Sequence, residues 1–352
     1  MPREADAALL VVLVPVVVLA VAVLVLLALD RRRRHPSATT RSGPGGHPRA
    51  GVVVNPIKID DLDAYRARIE TACRAAGWRP PIWRETTPEE PGAGQAREAI
   101  RLGATMIMAC GGDGTVRSVA CALAGTGVPL ALMPAGTGNL LARNLAVPIT
   151  DPAACLRTAL MGRDRMVDVG TAVVDISGED QTPESHTFLV MAGLGFDAEV
   201  MASTEPRLKE RVGWWAYVVA GAQHLRGRQT RVVIRMDDQP PLSRRVRSVI
   251  VGNCGELTGG VQLMPDARVD DGWLDVVVVA PRSMVGWAAV TAAVLSRARR
   301  GYPMVQHFRC RSIAVRAERP LPVQLDGDPL GAARMFRAHV EPGTLVVRVP
   351  ES

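Results

Sequence analysis

No pair of cysteines in this chain is spaced as CxxC, and none sits beside a histidine at metal-ligand spacing. Cys73, Cys110, Cys121, Cys155, Cys254 and Cys310 are scattered, which excludes a disulfide-stapled mini-protein and reads as reduced thiols of a cytosolic domain. The six histidines (His35, His47, His186, His224, His307, His339) form no ligand set. Aromatic residues are few, at 4%, yet 47% of the chain is hydrophobic, too much for a disordered polymer. A Walker A sequence is missing, and so is a GxGxxG fingerprint with a suitable acid downstream. Lysine is nearly absent, 2 against 40 arginines, a sign of a GC-rich genome more than of function. Nor is there a basic body. Residues 1–50 hold 7 basic and 3 acidic side chains and the other 302 hold 35 and 32, so the body carries only +3 of the total +7. That is not the footprint of a nucleic-acid-binding domain.

What is present suits two domains of ordinary size in 352 residues, preceded by an anchor. Residues 7–29 are apolar throughout, 23 residues without a charge, long enough as a helix to cross a ~30 Å hydrocarbon layer with some tilt. Arg31, Arg32, Arg33 and Arg34 follow at once, so the positive-inside rule places them, and everything after them, on the cytoplasmic side. A cleaved signal peptide is the rival, but its positive charge precedes the apolar run, and here it follows. Residues 30–50 are basic, then rich in Pro, Gly, Ser and Thr, and read as a flexible linker.

Residues 51–165 read as an α/β domain with a parallel sheet. Strands are expected at 51–54, 79–84, 105–110 and 128–133, and helices at 62–76, 95–102, 116–124 and 140–145. A further helix is expected from the Asp151-Pro152 cap to Met161. Residues 166–350 read as an antiparallel β-sandwich, with strands at 166–175, 187–193, 230–236, 246–252, 274–280, 312–317, 322–326 and 344–349. Two apolar helices, 214–225 and 284–299, interrupt it and are read first as core, second as lipid-facing.

The chemistry gathers in two glycine-rich loops. GGDGT (Gly111 to Thr115) and PAGTGN (Pro134 to Asn139) each follow an expected strand and precede a helix. Glycine lets backbone approach a phosphate chain closely, and the N–H groups at a helix start point at the anion. In parallel sheets ligands bind beyond the carboxyl ends of the strands, where both loops lie. A plain tight turn is the bland reading of either loop alone.

VVVNP (52–56), GGDGTV (111–116), PAGTGNLLARNL (134–145), GLGFDA (193–198), PDARVDDGWLDV (265–276) and LDGDP (325–329), in this order, resemble the diacylglycerol kinase catalytic family. The resemblance spans about residues 50–350. It implies an α/β nucleotide domain followed by a β-sandwich, with the active site between them, and ATP with Mg²⁺ as cofactors. By the same resemblance Asn55, Pro56, Thr86 (with Thr87 beside it as a one-residue ambiguity), Gly111, Gly112, Asp113, Gly114, Thr115, Gly136, Thr137, Gly138 and Asn139 bind the nucleotide. Asp271, with the carbonyls of Arg268 and Trp273, binds Mg²⁺, and the GLGFDA segment lines the lipid side of the cleft. The family's usual DGE reads Asp326-Gly327-Asp328 here, so Asp328 is the expected base, one methylene shorter, and Asp113 assists the metal. Leu140 departs in turn from the acid that many bacterial diacylglycerol kinases carry there.

The resulting expectation is an enzyme of the cell membrane with a single span and a cytoplasmic catalytic part. It would transfer the γ-phosphate of ATP to a lipid hydroxyl, with diacylglycerol giving phosphatidic acid. Its partners are a lipid substrate and the membrane, with no nucleic acid. An NAD kinase-like enzyme and a catalytically degenerate membrane-anchored binding protein are the alternatives.

Overall fold

Short apolar runs ending in glycine, proline or asparagine become the inner strands of a sheet. The computed structural model describes residues 47–175, 183–195, 229–257, 262–281 and 304–351. The expected anchor (7–29), most of the linker, Phe196 to Ala198 of the GLGFDA segment and the helices at 214–225 and 284–299 lie outside these residues. Among the described residues no helix is long and apolar enough to cross a membrane.

The first part alternates strand and helix: β1 (Arg49–Val54), α1 (Leu62–Ala75), β2 (Arg79–Glu85), α2 (Ala93–Arg101), β3 (Met106–Gly111), α3 (Asp113–Leu123), β4 (Leu130–Pro134), α4 (Leu140–Asn144) and α5 (Pro152–Met161). Asp61 caps α1 through the N–H of Ala64 (2.9 Å), and Asp151 caps α5 through those of Ala153 and Ala154 (both 2.9 Å). The strands run parallel in the order β4-β3-β1-β2, with Val52 beside Met108 and Met108 beside Ala131. β1 and β3 are buried almost throughout because helices cover both faces.

The second part is β5 (Arg163–Asp175), β6 (Glu184–Phe188), β7 (Met191–Leu194), β8 (Thr230–Met236), β9 (Leu242–Val246), β10 (Ser248–Gly252), β11 (Leu274–Val279), β12 (Val305–Cys310), β13 (Ser312–Leu325) and β14 (Asp328–Val349). Its strands pair antiparallel in two layers, and β13 passes from one layer to the other. Residues Ile313 to Ala317 pair with β8, while Val323 to Leu325 pair with β7. Phe188, Phe336, Ile234, Ile313 and Val276 fill the core of this sandwich.

Several boundaries differ from expectation for identifiable reasons. The runs 312–317 and 322–326 are one strand, continued through Glu318-Arg319-Pro320 by a register shift against β14. The run 344–349 is the end of a 22-residue strand. The run 187–193 breaks at Leu189-Val190, whose N–H groups turn to the Asp326 carboxylate. β14 then crosses back: Val347 and Arg348 lie parallel to Leu130 and Ala131, covering the edge of the nucleotide-side sheet that β4 would otherwise expose. The buried Arg348 is fixed there by Asp164 (2.6 Å).

Candidate active site

The carboxyl ends of β2, β1, β3 and β4 lie side by side and carry, in turn, Thr86, Asn55, Gly111-Gly112 and the loop from Pro134 to Asn139. Backbone bonds tie these ends together: Asn55 N–H to Cys110 O (2.9 Å), Thr86 N–H to Val54 O (2.9 Å) and Ala135 N–H to Gly111 O (2.9 Å). The residues expected at the nucleotide are therefore brought to one rim. Asn55 turns its side-chain oxygen to Ile57 N–H (3.2 Å), so Pro56 enters a short 3-10 turn, and Thr86 is buried.

The two loops interlock. A Cβ on Gly136 would stand 2.6 Å from the Cα of Gly112, and one on Gly138 would stand 2.4 Å from the Asp113 carboxylate, so glycine is the residue that fits at both. Asn139 adopts a left-handed conformation (φ 49°) and folds its amide back on Gly136, accepting from its N–H (3.2 Å) and donating to its carbonyl (2.7 Å). Asn139 thus braces the loop, and Thr137 stands exposed at its tip. α3 begins earlier than the sequence predicts, at Asp113, so Gly112 is its N-cap and the first-turn N–H groups have no side-chain cap. N–H groups placed in this way can donate to an anion.

Asp113 is the brace between the loops. Its Oδ1 accepts the N–H of Leu140 (2.7 Å), and among the described residues no ion pair reaches it. Burial pushes its carboxyl up to about 6 against that hydrogen bond, and the charges of Asp326 and Asp328 push the same way.

Asp328 comes from the sandwich part and lands in the crevice. Asp326 and Gly327 both have positive φ (49° and 91°), the two-residue turn between β13 and β14. The turn places the Asp328 carboxylate 3.5 Å from where a Cβ on Gly114 would lie. Asp326 is buried and accepts N–H groups from Leu189 (3.0 Å), Val190 (2.8 Å) and Met191 (3.0 Å). Burial raises its carboxyl, opposed by Arg117 and those bonds.

Arg117, on α3, is the residue that sequence reading missed. It donates to Leu325 O (2.7 Å) and to Asp328 Oδ2 (2.8 Å), and stands 3.9 Å from Asp326. It latches the hairpin tip onto the GGDGT helix. An arginine one turn into a helix reads as solvated surface, and only its position two residues after GGDGT marks it.

The expected metal trio is elsewhere. Asp271 accepts the N–H of Trp273 (3.1 Å) on Oδ1 and the Arg309 guanidinium on Oδ2, and Arg309 also lies 3.9 Å from Asp275 and over the Trp273 ring (5.5 Å). As arranged, the Arg309 guanidinium occupies Oδ2 of Asp271, so a cation bound there would displace it. Among the described residues no bond links Arg268 or Trp273 to the crevice, and Asp271 groups electrostatically with Asp168 and Asp275. Among the described residues no cluster of three or more His, Cys, Asp or Glu forms a metal centre.

The catalytic-domain profile of the diacylglycerol kinases matches residues 49–172, and that of the YegS C-terminal NAD kinase beta sandwich-like domain matches residues 190–349. A Pseudomonas fluorescens protein named "Probable lipid kinase YegS-like" is 33% identical over 297 residues, 82% of this chain and 91% of that relative. A Pseudomonas aeruginosa protein of the same name is 35% identical over 263 residues, 72% and 79% of the two chains. The crystal structure of a diacylglycerol kinase from Bacillus anthracis superposes with a TM-score of 0.66 at 22% identity, covering 87% of this chain and 98% of that one. At that identity the likeness speaks for the fold.

Proposed function

Since this chain belongs to the diacylglycerol kinase catalytic family, we propose that it is an ATP-dependent lipid kinase that phosphorylates diacylglycerol to phosphatidic acid. The observation that carries the reading is the Asp328 carboxylate, lent by the sandwich and standing over Gly114 at the phosphate-binding helix start. The triphosphate would lie against the N–H groups of Gly112 to Thr115 and the 136–138 loop, with Asn55, Pro56 and Thr86 at the nucleoside side. Asp113 would hold a Mg²⁺ that arrives with the nucleotide, which would supply neutralisation of the phosphate charge. Asp113 suits that role because among the described residues no cation pairs with it. Such an ion keeps water and phosphate ligands, so no pre-built cage is needed.

In the reaction, Asp328 takes the proton of the lipid hydroxyl, the oxygen attacks the γ-phosphorus, and the bond to the β-phosphate oxygen breaks to release ADP. Arg117 holds Asp328 and the Leu325 carbonyl in register with the helix. Positioning and charge neutralisation supply most of the rate in phosphoryl transfer, which loops of this kind provide. The domain reading is an anchor at 7–29, a linker at 30–50, a nucleotide domain at 51–165 and a sandwich at 166–350, with the catalytic part on the cytoplasmic side, where ATP is available. An anchored enzyme meets a substrate that stays in the bilayer at high effective concentration.

The test is incubation of the full chain with labelled ATP and extracted host lipids, beside D113N and D328N variants and an arm with NAD as acceptor. Labelled phosphatidic acid, lost in both variants, is the expected result. Label on NAD, or full turnover by both variants, overturns the reading.

A further inference from the structure

Strand alternation collects arginines that net charge conceals. In β8 the side chains of Thr230, Val232, Ile234 and Met236 are buried, leaving Arg231, Val233 and Arg235 on the solvent face. Pairing extends that face across three more strands. Arg231 lies directly opposite Arg245 of β9, Val233 opposite Arg316 of β13, and Ala314 of β13 joins Arg235 to Arg337 of β14. Arg231, Arg235, Arg245, Arg316 and Arg337 are all exposed, and none forms an ion pair with a described residue. Arg231 donates to Ser243 Oγ at 3.3 Å. The acids on this face are Glu318, two residues beyond Arg316; Glu341, which accepts from the Thr171 hydroxyl (2.6 Å) and lies 3.6 Å from His339; and the buried Asp175 of β5, opposite Met335. Like charges directly opposite each other across strands oppose folding, so the arrangement calls for a negative partner.

We propose that this face docks on a bilayer surface bearing anionic phospholipid headgroups. The proposal rests on the lipid-kinase reading for its reason to be at a bilayer, and on charge complementarity for its site. Guanidinium groups bind phosphate oxygens bidentately, and each such charge adds to attraction toward an anionic surface. Between the arginines lie aliphatic side chains, Val233 (37% exposed), Ala314 and Met335. The neighbouring Phe336 and Phe188 point into the core. A surface for single-stranded nucleic acid would present aromatic rings for stacking, which this face lacks among the described residues. The docked layer is continuous with the active site: β13, which carries Arg316, runs on to Leu325 and the turn before Asp328.

The experiment is hydrogen exchange of the full chain on vesicles of phosphatidylcholine alone and of phosphatidylcholine with roughly a third phosphatidylglycerol. The regional readout separates this face from the anchor. Amides of β8 and of the edge strand β9 should exchange about tenfold more slowly on the anionic vesicles only. Salt at about 1 M should abolish the protection. R231Q/R245Q should weaken this contact on the order of 30-fold, about fivefold per charge, and R316Q/R337Q should behave alike if the first variant misfolds. Turnover on detergent-dispersed lipid stays at the wild-type level in these variants. Equal exchange on both vesicles, or protection by a single-stranded oligonucleotide in place of vesicles, overturns the docking face. Loss of all lipid phosphorylation by the wild type overturns the catalytic reading instead.

Discussion

Two groups of carboxylates in this protein are held in opposite ways. Around the turn from Asp266 to Asp275 the chain supplies its own donors: Arg165 to Asp270 (2.7 Å), Arg309 to Asp271, and the N–H groups of Gly272 (2.6 Å) and Gly343 (2.8 Å) to Asp168. In the crevice Asp326 and Asp328 share Arg117, while Asp113 has backbone donors and, among the described residues, no cation, beside first-turn N–H groups without a side-chain cap. Asp270 and Asp271 have their charge matched by Arg165 and Arg309. Asp113 stands beside uncapped helix-start N–H groups, an arrangement suited to a cation that arrives with an anionic substrate.

The comparison can be broken most sharply at Asp328. D328N should lose on the order of 10²–10⁴ in kcat with little change in KM for ATP, while D328E, which keeps the acid, should stay within about tenfold of wild type. Asp113 comes next, and two readouts should move in opposite directions. D113N should lose about 10² in kcat. Its stability should rise, because the folded-state carboxyl is raised from 3.8 to about 6. The sign follows from which form the fold prefers. Below 3.8 both states are protonated and ionisation costs nothing; through about 6 the wild type progressively loses that stability, and D113N does not. Denaturation at neutral pH should show D113N more stable by on the order of 2 kcal/mol, a difference that vanishes near pH 4. Nucleotide affinity of the wild type should fall below about pH 6, where a proton competes with the incoming cation.

Arg117 has a smaller effect. R117A should lower kcat about 10–100-fold by freeing Asp328 and leaving buried Asp326 without its nearest cation, with partial recovery in R117K. The smallest effect falls on the saturated group. R309Q should keep turnover within about threefold of wild type, since an exposed ion pair contributes little. The melting temperature of R309Q, and not of wild type, should then rise with Mg²⁺ in the absence of nucleotide. A Mg²⁺ response in the wild type would show that Arg309 yields to the metal and would erase the contrast.

Much of the nucleotide side was legible in the sequence, because its signals are local. Apolar runs end at Asn55, Gly111 and Pro134, and caps such as Asp151-Pro152 act within one turn. The presence of Asp328 at the crevice followed from motif order. What stayed hidden depends on partners far along the chain. Arg117 meets residues 208 and 211 positions away. The Leu189-Val190 break is imposed by a carboxylate 136 or more residues downstream. The basic face exists only once β8, β9, β13 and β14 are in register. The pairing of Asp271 with Arg309 likewise needs β11 and β12 side by side.

The crossing of β14 back to β4 has a consequence for biosynthesis. Leu130 and Ala131 find their last neighbours in Val347 and Arg348, more than 200 positions later. The sheet of the first part therefore stays open along one edge until Val347 and Arg348 have left the ribosome. Its completion is a late, high-contact-order event, and a nonsense codon shortly before Leu345 would forfeit both halves of the enzyme together.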